Sequence, residues 1–197
     1  MKQFAKLPLW GLLGLAMMVT SAQAQNRVSY GQVMKSLVTT TGTARRVGIN
    51  TDAIRQDIEA RIAAEGTENA EKPSPVLDVL RKLPQLIVQI QFDLDKDTIR
   101  PESWVTIGKI ADAFHHPLLA GNRFLIVGHT DARGKRLYNL ELSQRRAFSV
   151  AEMLTGTFRV NPKRILFLGL GEEQLFNTAK PNDGVNRRVE LINIGPS

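Results

Sequence analysis

The sequence predicts an α+β fold in which two helices cover a mixed sheet, in the order β-α-β-α-β-β. Three observations predict it. Four apolar runs of strand length lie between Leu83 and Ile194, two stretches of helical periodicity separate the first three, and Gly, Pro or Asn punctuates the junctions.

The first strand is read from Leu86, Val88, Ile90 and Phe92, which alternate with Ile87, Gln89 and Gln91. Pro101 suits the first turn of a helix, because a proline there gives up only an N–H that would be unpaired anyway. That helix should bury Trp104, Ile107, Ala111 and Phe114 and stop at Pro117. Phe124 to Val127 forms the second strand. Lys135 to about Leu154 forms the second helix, with Leu137, Leu140, Ala147, Ala151 and Leu154 as its core stripe. Ile165 to Leu168 is the third strand and Arg188 to Ile194 the fourth.

A short, partly helical N-terminal region precedes this. Asn26 to Thr43 is rich in Ser, Thr and Gly without sustained period, and reads as loose or weakly extended. Asn50 or Thr51 can cap a helix to about Ala64 that carries Ile54, Ile58 and Ile62 on one face. Glu65 to Pro75 reads as a linker. The expected division is residues 1–24 as a signal peptide, 25–80 as N-terminal region and linker, and 81–197 as the main domain. Leu83 to Ser197 is expected to fold alone.

The first residues predict the compartment. Lys2 and Lys6 precede an apolar run from Leu7 to Val19, and Ala22-Gln23-Ala24 supplies a small-x-small cleavage pattern. The run falls short of the ~18 residues of a membrane span, so export with cleavage before Gln25 is favoured over an uncleaved anchor. Localisation follows as periplasmic and cell-wall associated, with the outer membrane as an alternative surface.

The sequence has no cysteine, which excludes disulfides and leaves no thiol after the signal to accept a lipid anchor. Net charge is +7, but two of those charges are Lys2 and Lys6, and basic residues elsewhere mix with acidic ones. The two pairs Arg145-Arg146 and Arg187-Arg188 are a thin basis for nucleic acid, which is not expected as a partner. The region before the linker is too short for a membrane barrel of eight strands of ~9–11 residues.

Residues 127 to 147 are the most informative stretch for chemistry. The second strand ends in a polar loop holding Asp131 and closed by Gly134, and the next helix carries Asn139 and Arg146 on one flank, two turns apart. A carboxylate, an amide and a guanidinium thus converge at one end of a sheet, which suits a ligand bearing both an ammonium and a carboxylate. The bland alternative is an Asp131–Arg146 surface ion pair contributing ~0–1 kcal/mol.

This stretch resembles the outer-membrane protein A C-terminal domain family, which binds peptidoglycan. The family pattern stands here as Thr130-Asp131, Gly134, Tyr138-Asn139, Leu142-Ser143 and Arg145-Arg146-Ala147. Phe92-Asp93 precede it, Gly169, Gly171 and Glu172 follow, and Asn186-Arg187-Arg188-Val189 close it. The resemblance covers roughly Leu83 to Ile194 and implies the β-α-β-α-β-β arrangement. It also implies that Asp131 and Arg146 hold the zwitterionic end of diaminopimelate in the wall peptide, Asp131 facing the ammonium and Arg146 forking onto the carboxylate. Arg187 is implied to lie near the ligand. Asn139 could contact it or terminate loop backbone groups, and Asp95 could line the pocket or simply form a turn. Arg188, one residue on, should face the other side of the strand and be structural.

No catalytic residue, metal ligand or cofactor is expected. Gly169-Leu170-Gly171 lacks the rest of a nucleotide fingerprint, Ser143 has no histidine at an informative spacing, and His129 reads as a support for Asp131. The leading reading is non-catalytic binding of peptidoglycan that tethers the envelope or an envelope complex to the wall. Its alternatives are a wall-modifying enzyme using Asp131, Asp93, Asp95 or Glu172, and a docking subunit that meets an envelope protein through residues 25–80.

Overall fold

The computed structural model describes residues 28–38, 47–64 and 75–196. The signal peptide and its cleavage position lie outside them, as does the linker apart from Pro75. Among the described residues no helix is long and apolar enough to cross a membrane.

Four strands, β1 (Gln85–Val88), β2 (Asn122–Gly128), β3 (Ile165–Gly169) and β4 (Val189–Pro196), form one mixed sheet in the order β1-β4-β2-β3. β2 and β3 are parallel, and β4 runs antiparallel to both β1 and β2. The expected α+β class and strand count therefore hold. The first strand is shorter than its alternation suggested. Its ladder ends at Val88, and Phe92 survives only as an isolated bridge to Ile99.

Between β1 and β2 stand α4 (Trp104–His115) and the single turn α5 (Pro117–Ala120), and between β2 and β3 stands α6 (Arg136–Glu152). Trp104 was expected in the core but is 53 % exposed. Pro101–Ser103 form a separate 3-10 turn, and the buried stripe of α4 runs through Thr106, Ile107, Ile110, Ala111, Ala113 and Phe114, which leaves Trp104 at its edge. Leu137 is likewise exposed at the first turn of α6, whose buried residues begin at Asn139 and Leu140. Pro117 does not simply stop a helix. His116 accepts a bond from the Leu118 N–H and caps α5.

The N-terminal segments differ most from expectation. Tyr30–Leu37 is a helix, α1, within the stretch read as loose. Its signal is a capping box: the Ser29 hydroxyl accepts from the Gln32 N–H while the Gln32 side chain accepts from the Ser29 N–H. α2 (Thr51–Ala63) starts at Asn50 as expected, with the Asn50 side chain accepting from the Ala53 N–H. A further turn, α3 (Pro75–Leu80), follows.

These segments cover the sheet on both faces. Val33 and Leu37 of α1 join Ile107, Phe114, Phe124, Ile126 and Leu191 in one core. Ile54 and Ile58 of α2, with Leu77 and Leu80 of α3, join Leu125, Val127, Leu168 and Ile192 in a second core on the opposite face. Alternation along each strand assigns these two sets to the two sides.

Close contact of α6 with the sheet depends on two strand-end glycines. A Cβ at Gly128 would stand 2.3 Å from the Ser143 carbonyl oxygen, and one at Gly169 would stand 2.3 Å from the Gln144 nitrogen. Without side chains at these points, α6 lies directly on the ends of β2 and β3, which fixes where Asn139 and Arg146 project.

Candidate functional site

Asp131 leaves the end of β2 in a loop bound on every side. Thr130 donates to the Gly171 carbonyl and Ala132 to the Pro181 carbonyl. The Asn139 amide donates to the carbonyls of Asp131 and Arg133 and, at 2.6 Å, to Glu172 Oε2. Asn139 is thus buried and braces the loop from beneath, the loop-terminating role its sequence position allowed. Asn186 braces the segment from Asn177 to Pro181, whose last carbonyl the Ala132 N–H bonds. It is fully buried, with its amide donating to the carbonyls of Asn177, Lys180 and Pro181. The sequence offered Asn186 only as part of the closing motif.

The carboxylate of Asp131 is buried and already engaged. Its Oδ1 accepts from the Arg133 N–H at 3.2 Å, and its Oδ2 accepts from Arg187 Nη1 at 2.5 Å. An Asp131–Arg146 ion pair, the bland alternative, is not formed. Instead the Arg146 guanidinium lies 4.9 Å over the Phe92 ring and donates from Nε to the Lys96 carbonyl at 3.0 Å. Among the described residues no carboxylate stands within ion-pair distance of it. Burial lowers its pKa from the ordinary arginine value, opposed mainly by the nearby charge of Asp95.

Asp95 is exposed on the Asp93–Thr98 turn, with a left-handed φ of 53°. That conformation suits an aspartate in a tight turn, and it sets the carboxylate near Arg146 rather than in a shared hydrogen bond.

Beside these residues opens a cleft of ≈ 300 Å³, bounded by Gln89–Phe92 and Arg100 on one side and Arg187–Val189 on the other, with Arg146 and Gly128 between them. Asp131, Asn139 and Asp95 do not line it. Arg146 and Arg187 both border the cleft, and Arg187 also bonds the Asp131 loop. The motif segments that are scattered over the sequence therefore meet at the end of β2 and the start of β4. Residues 91–188 match the OmpA family. This part of the chain is an OmpA family domain.

Two relatives illustrate how far the likeness extends. Outer membrane porin F of Pseudomonas fluorescens is 37 % identical over 119 residues, which are 59 % of this chain and 34 % of the porin. Peptidoglycan-associated lipoprotein of Pseudomonas putida is 34 % identical over 108 residues, 53 % of this chain and 62 % of the lipoprotein. The chain thus spans about a third of the first and under two thirds of the second. Among solved structures, the peptidoglycan-associated lipoprotein from Burkholderia pseudomallei is 27 % identical with a TM-score of 0.45, covering 53 % of this chain and 87 % of that one.

Within the OmpA family domain, Arg187 and Arg188 lead into β4, which starts at Val189 rather than at Arg188 as expected; the Arg187 side chain is half exposed and that of Arg188 is buried. Arg188 is buried and bonded to Glu190 Oε1 at 2.7–2.9 Å and to the Gln174 carbonyl at 3.0 Å, the structural role read from its position. Glu190 pairs with Arg188 and also approaches His129 Nε2 at 3.5 Å. Despite its burial, these neighbours hold the Glu190 carboxyl at a pKa of about 2. His129 is fully enclosed with neither ring nitrogen in a hydrogen bond, and desolvation lowers its pKa. Its backbone N–H, donating to the Arg188 carbonyl, ties β4 to the start of the Asp131 loop. The other two histidines are engaged elsewhere, His115 with the Phe158 carbonyl and His116 as the α5 cap.

Proposed function

We propose that the OmpA family domain binds peptidoglycan without catalysis and fastens the exported protein to the cell wall in the periplasm. In this reading Asp131 and Arg146 hold the zwitterionic end of diaminopimelate, Arg187 lies beside the same carboxylate, Asp95 adjoins Arg146, and Asn139 keeps the loop in shape. The observation that carries it is Arg146. Its half-buried guanidinium has donors to spare and, among the described residues, no carboxylate partner, on a domain whose relatives include a peptidoglycan-associated lipoprotein. A fork of donors in a partly desolvated setting selects a carboxylate. An incoming ammonium at Asp131 would share the carboxylate with Arg187 or displace it. Arg187 is half exposed and free to swing toward the ligand's own carboxylate.

Electrostatics favour binding over hydrolysis. A glycosidase needs two carboxyls free to act on either side of the sugar bond. Asp131 and Glu172 are occupied by Arg187 and Asn139.

Co-sedimentation with purified diaminopimelate-type peptidoglycan tests the reading. Asp131→Ala and Arg146→Ala should abolish most binding, since removing one member of such a contact costs ~2–5 kcal/mol. Arg146→Lys should fail nearly as badly for want of the fork. Folded variants that sediment like wild type would overturn the proposal, and soluble fragments released from the wall by wild type would favour the enzyme.

A further inference from the structure

The cleft beside Arg146 has a chemistry that a single zwitterionic end does not use. Ile90, Phe92 and Val189 contribute apolar groups to its lining, and the cationic residues that border it are Arg100, Arg146, Arg187 and Arg188. No aspartate or glutamate lines it. Two of those four cations are already matched, Arg187 by Asp131 and Arg188 by Glu190. Arg100 is matched only weakly. Among the described residues its ionic contact is a 3.4 Å approach to Glu102, with both side chains about half exposed, a separation and exposure worth little. Its backbone is nonetheless fixed. The Arg100 N–H donates to the Gln91 carbonyl, and the Gln91 N–H donates to the Ser103 hydroxyl. Arg100 therefore overhangs the cleft from a wall that is held in place.

Resting on the reading above, the geometry points to a second anionic subsite: Arg100 receives another carboxylate of the same wall peptide, carried on a short aliphatic arm. The arm lies on Ile90 and Val189, and Arg100 takes the carboxylate from the wall opposite Arg187. At ≈ 300 Å³ the cleft is at the small end of ligand sites, which suits one amino-acid arm and not a sugar ring chain. Arg100 would then set specificity for wall peptides whose neighbouring carboxylate is free over those in which it is amidated. Amidation removes the charge and leaves a group that cannot accept a forked pair of charged hydrogen bonds.

The test is calorimetric titration of the full chain with two synthetic stem peptides containing diaminopimelate. One has every carboxylate free, and the other has the carboxylate of the residue before diaminopimelate amidated. Wild type should bind the free acid about tenfold more tightly. Arg100→Gln should bind both peptides as wild type binds the amide, and Arg100→Lys should recover part of the preference. Wild type that binds both peptides equally would overturn the subsite, as would an Arg100→Gln protein that weakens for both alike. Asp131→Ala separates the two levels of argument. If it binds both peptides at full strength, or if wild type binds neither, the peptidoglycan reading itself falls and the subsite with it.

Discussion

Asp131 and Arg187, 56 residues apart in sequence, meet at 2.5 Å where the β2 loop faces the start of β4. The next residue, Arg188, makes an ion pair of similar length with Glu190 but inside the molecule. Two adjacent arginines thus have opposite duties, one half exposed beside the Asp131 loop and the other buried.

Substitution should separate those duties. Arg187→Ala should stay folded and lose wall binding, because its side chain is half exposed. Arg188→Ala should lose stability, because Glu190 would be left buried and unpaired. Removing one partner of a buried pair costs about 3–5 kcal/mol, and at about 2–4 °C per kcal/mol the melting temperature should fall by roughly 10 °C. Thermal denaturation followed by circular dichroism checks both, and a Tm for Arg188→Ala equal to wild type would show that Gln174 and water satisfy Glu190.

Acid should weaken the fold in two stages. His129 has a folded-state pKa below 6.5, so the unfolded chain takes up its proton first and stability declines as pH falls below 6.5. Glu190 titrates near 4.5 when unfolded and at about 2 when folded, so its contribution is present above 4.5 and is lost as pH falls toward 2. That difference amounts to about 3 kcal/mol at most. Urea midpoints measured between pH 8 and 2 should show both stages. Glu190→Gln should remove the lower one, and a profile flat from pH 6.5 to 3 would contradict the assignment.

Gly128→Ala should damage fold and site together. The new methyl group would press on the Ser143 carbonyl and force α6 off the sheet, at a cost of typically 1–3 kcal/mol for overpacking. Because α6 carries Asn139 and Arg146, wall binding should weaken even at temperatures where the variant is folded. Gly156→Ala, where added bulk meets nothing within 4 Å, is the control.

Among the described residues, the fragment Leu83–Ser197 omits six buried apolar side chains: Val33, Leu37, Ile54, Ile58, Leu77 and Leu80. Each contributes roughly 1.5–3 kcal/mol by burial, and together that is comparable to the whole stability of a typical domain. The fragment should melt far below the full chain or without a cooperative transition. Equal melting temperatures would show that the sheet is self-sufficient and that α1 to α3 merely rest on it.

Much of this architecture was legible in residue spacing. Two-residue alternation marked β1, four-residue spacing marked α4 and α6, and Asn50 marked the start of α2. Trp104 and Leu137 misled because they share a helical face with buried neighbours yet sit in first turns, where the chain is still arriving at the core. α1 was missed because Ser, Thr and Gly around it outweighed the Ser29–Gln32 capping signal. In the site, Asp131 and Arg146 could be named from one contiguous stretch. The Asp131–Arg187 pair could not, because it joins segments whose separation is set by the sheet order. Arg164 shows the same limit. Its neighbours in sequence give no sign of its place, yet it is buried and donates to the carbonyls of Phe114, Leu119 and Asn122.

The amide of Asn139 holds the Asp131 loop, and that of Asn186 holds the segment ending at Pro181 that the loop bonds, before any ligand arrives. A wall peptide reaching this surface would find its cradle already shaped, so little of the interaction energy would go into ordering the chain. Recognition would then resemble a key entering a fixed lock, with an encounter rate set by diffusion along the glycan mesh rather than by loop rearrangement. Strength would be tuned through dissociation, one side chain at a time.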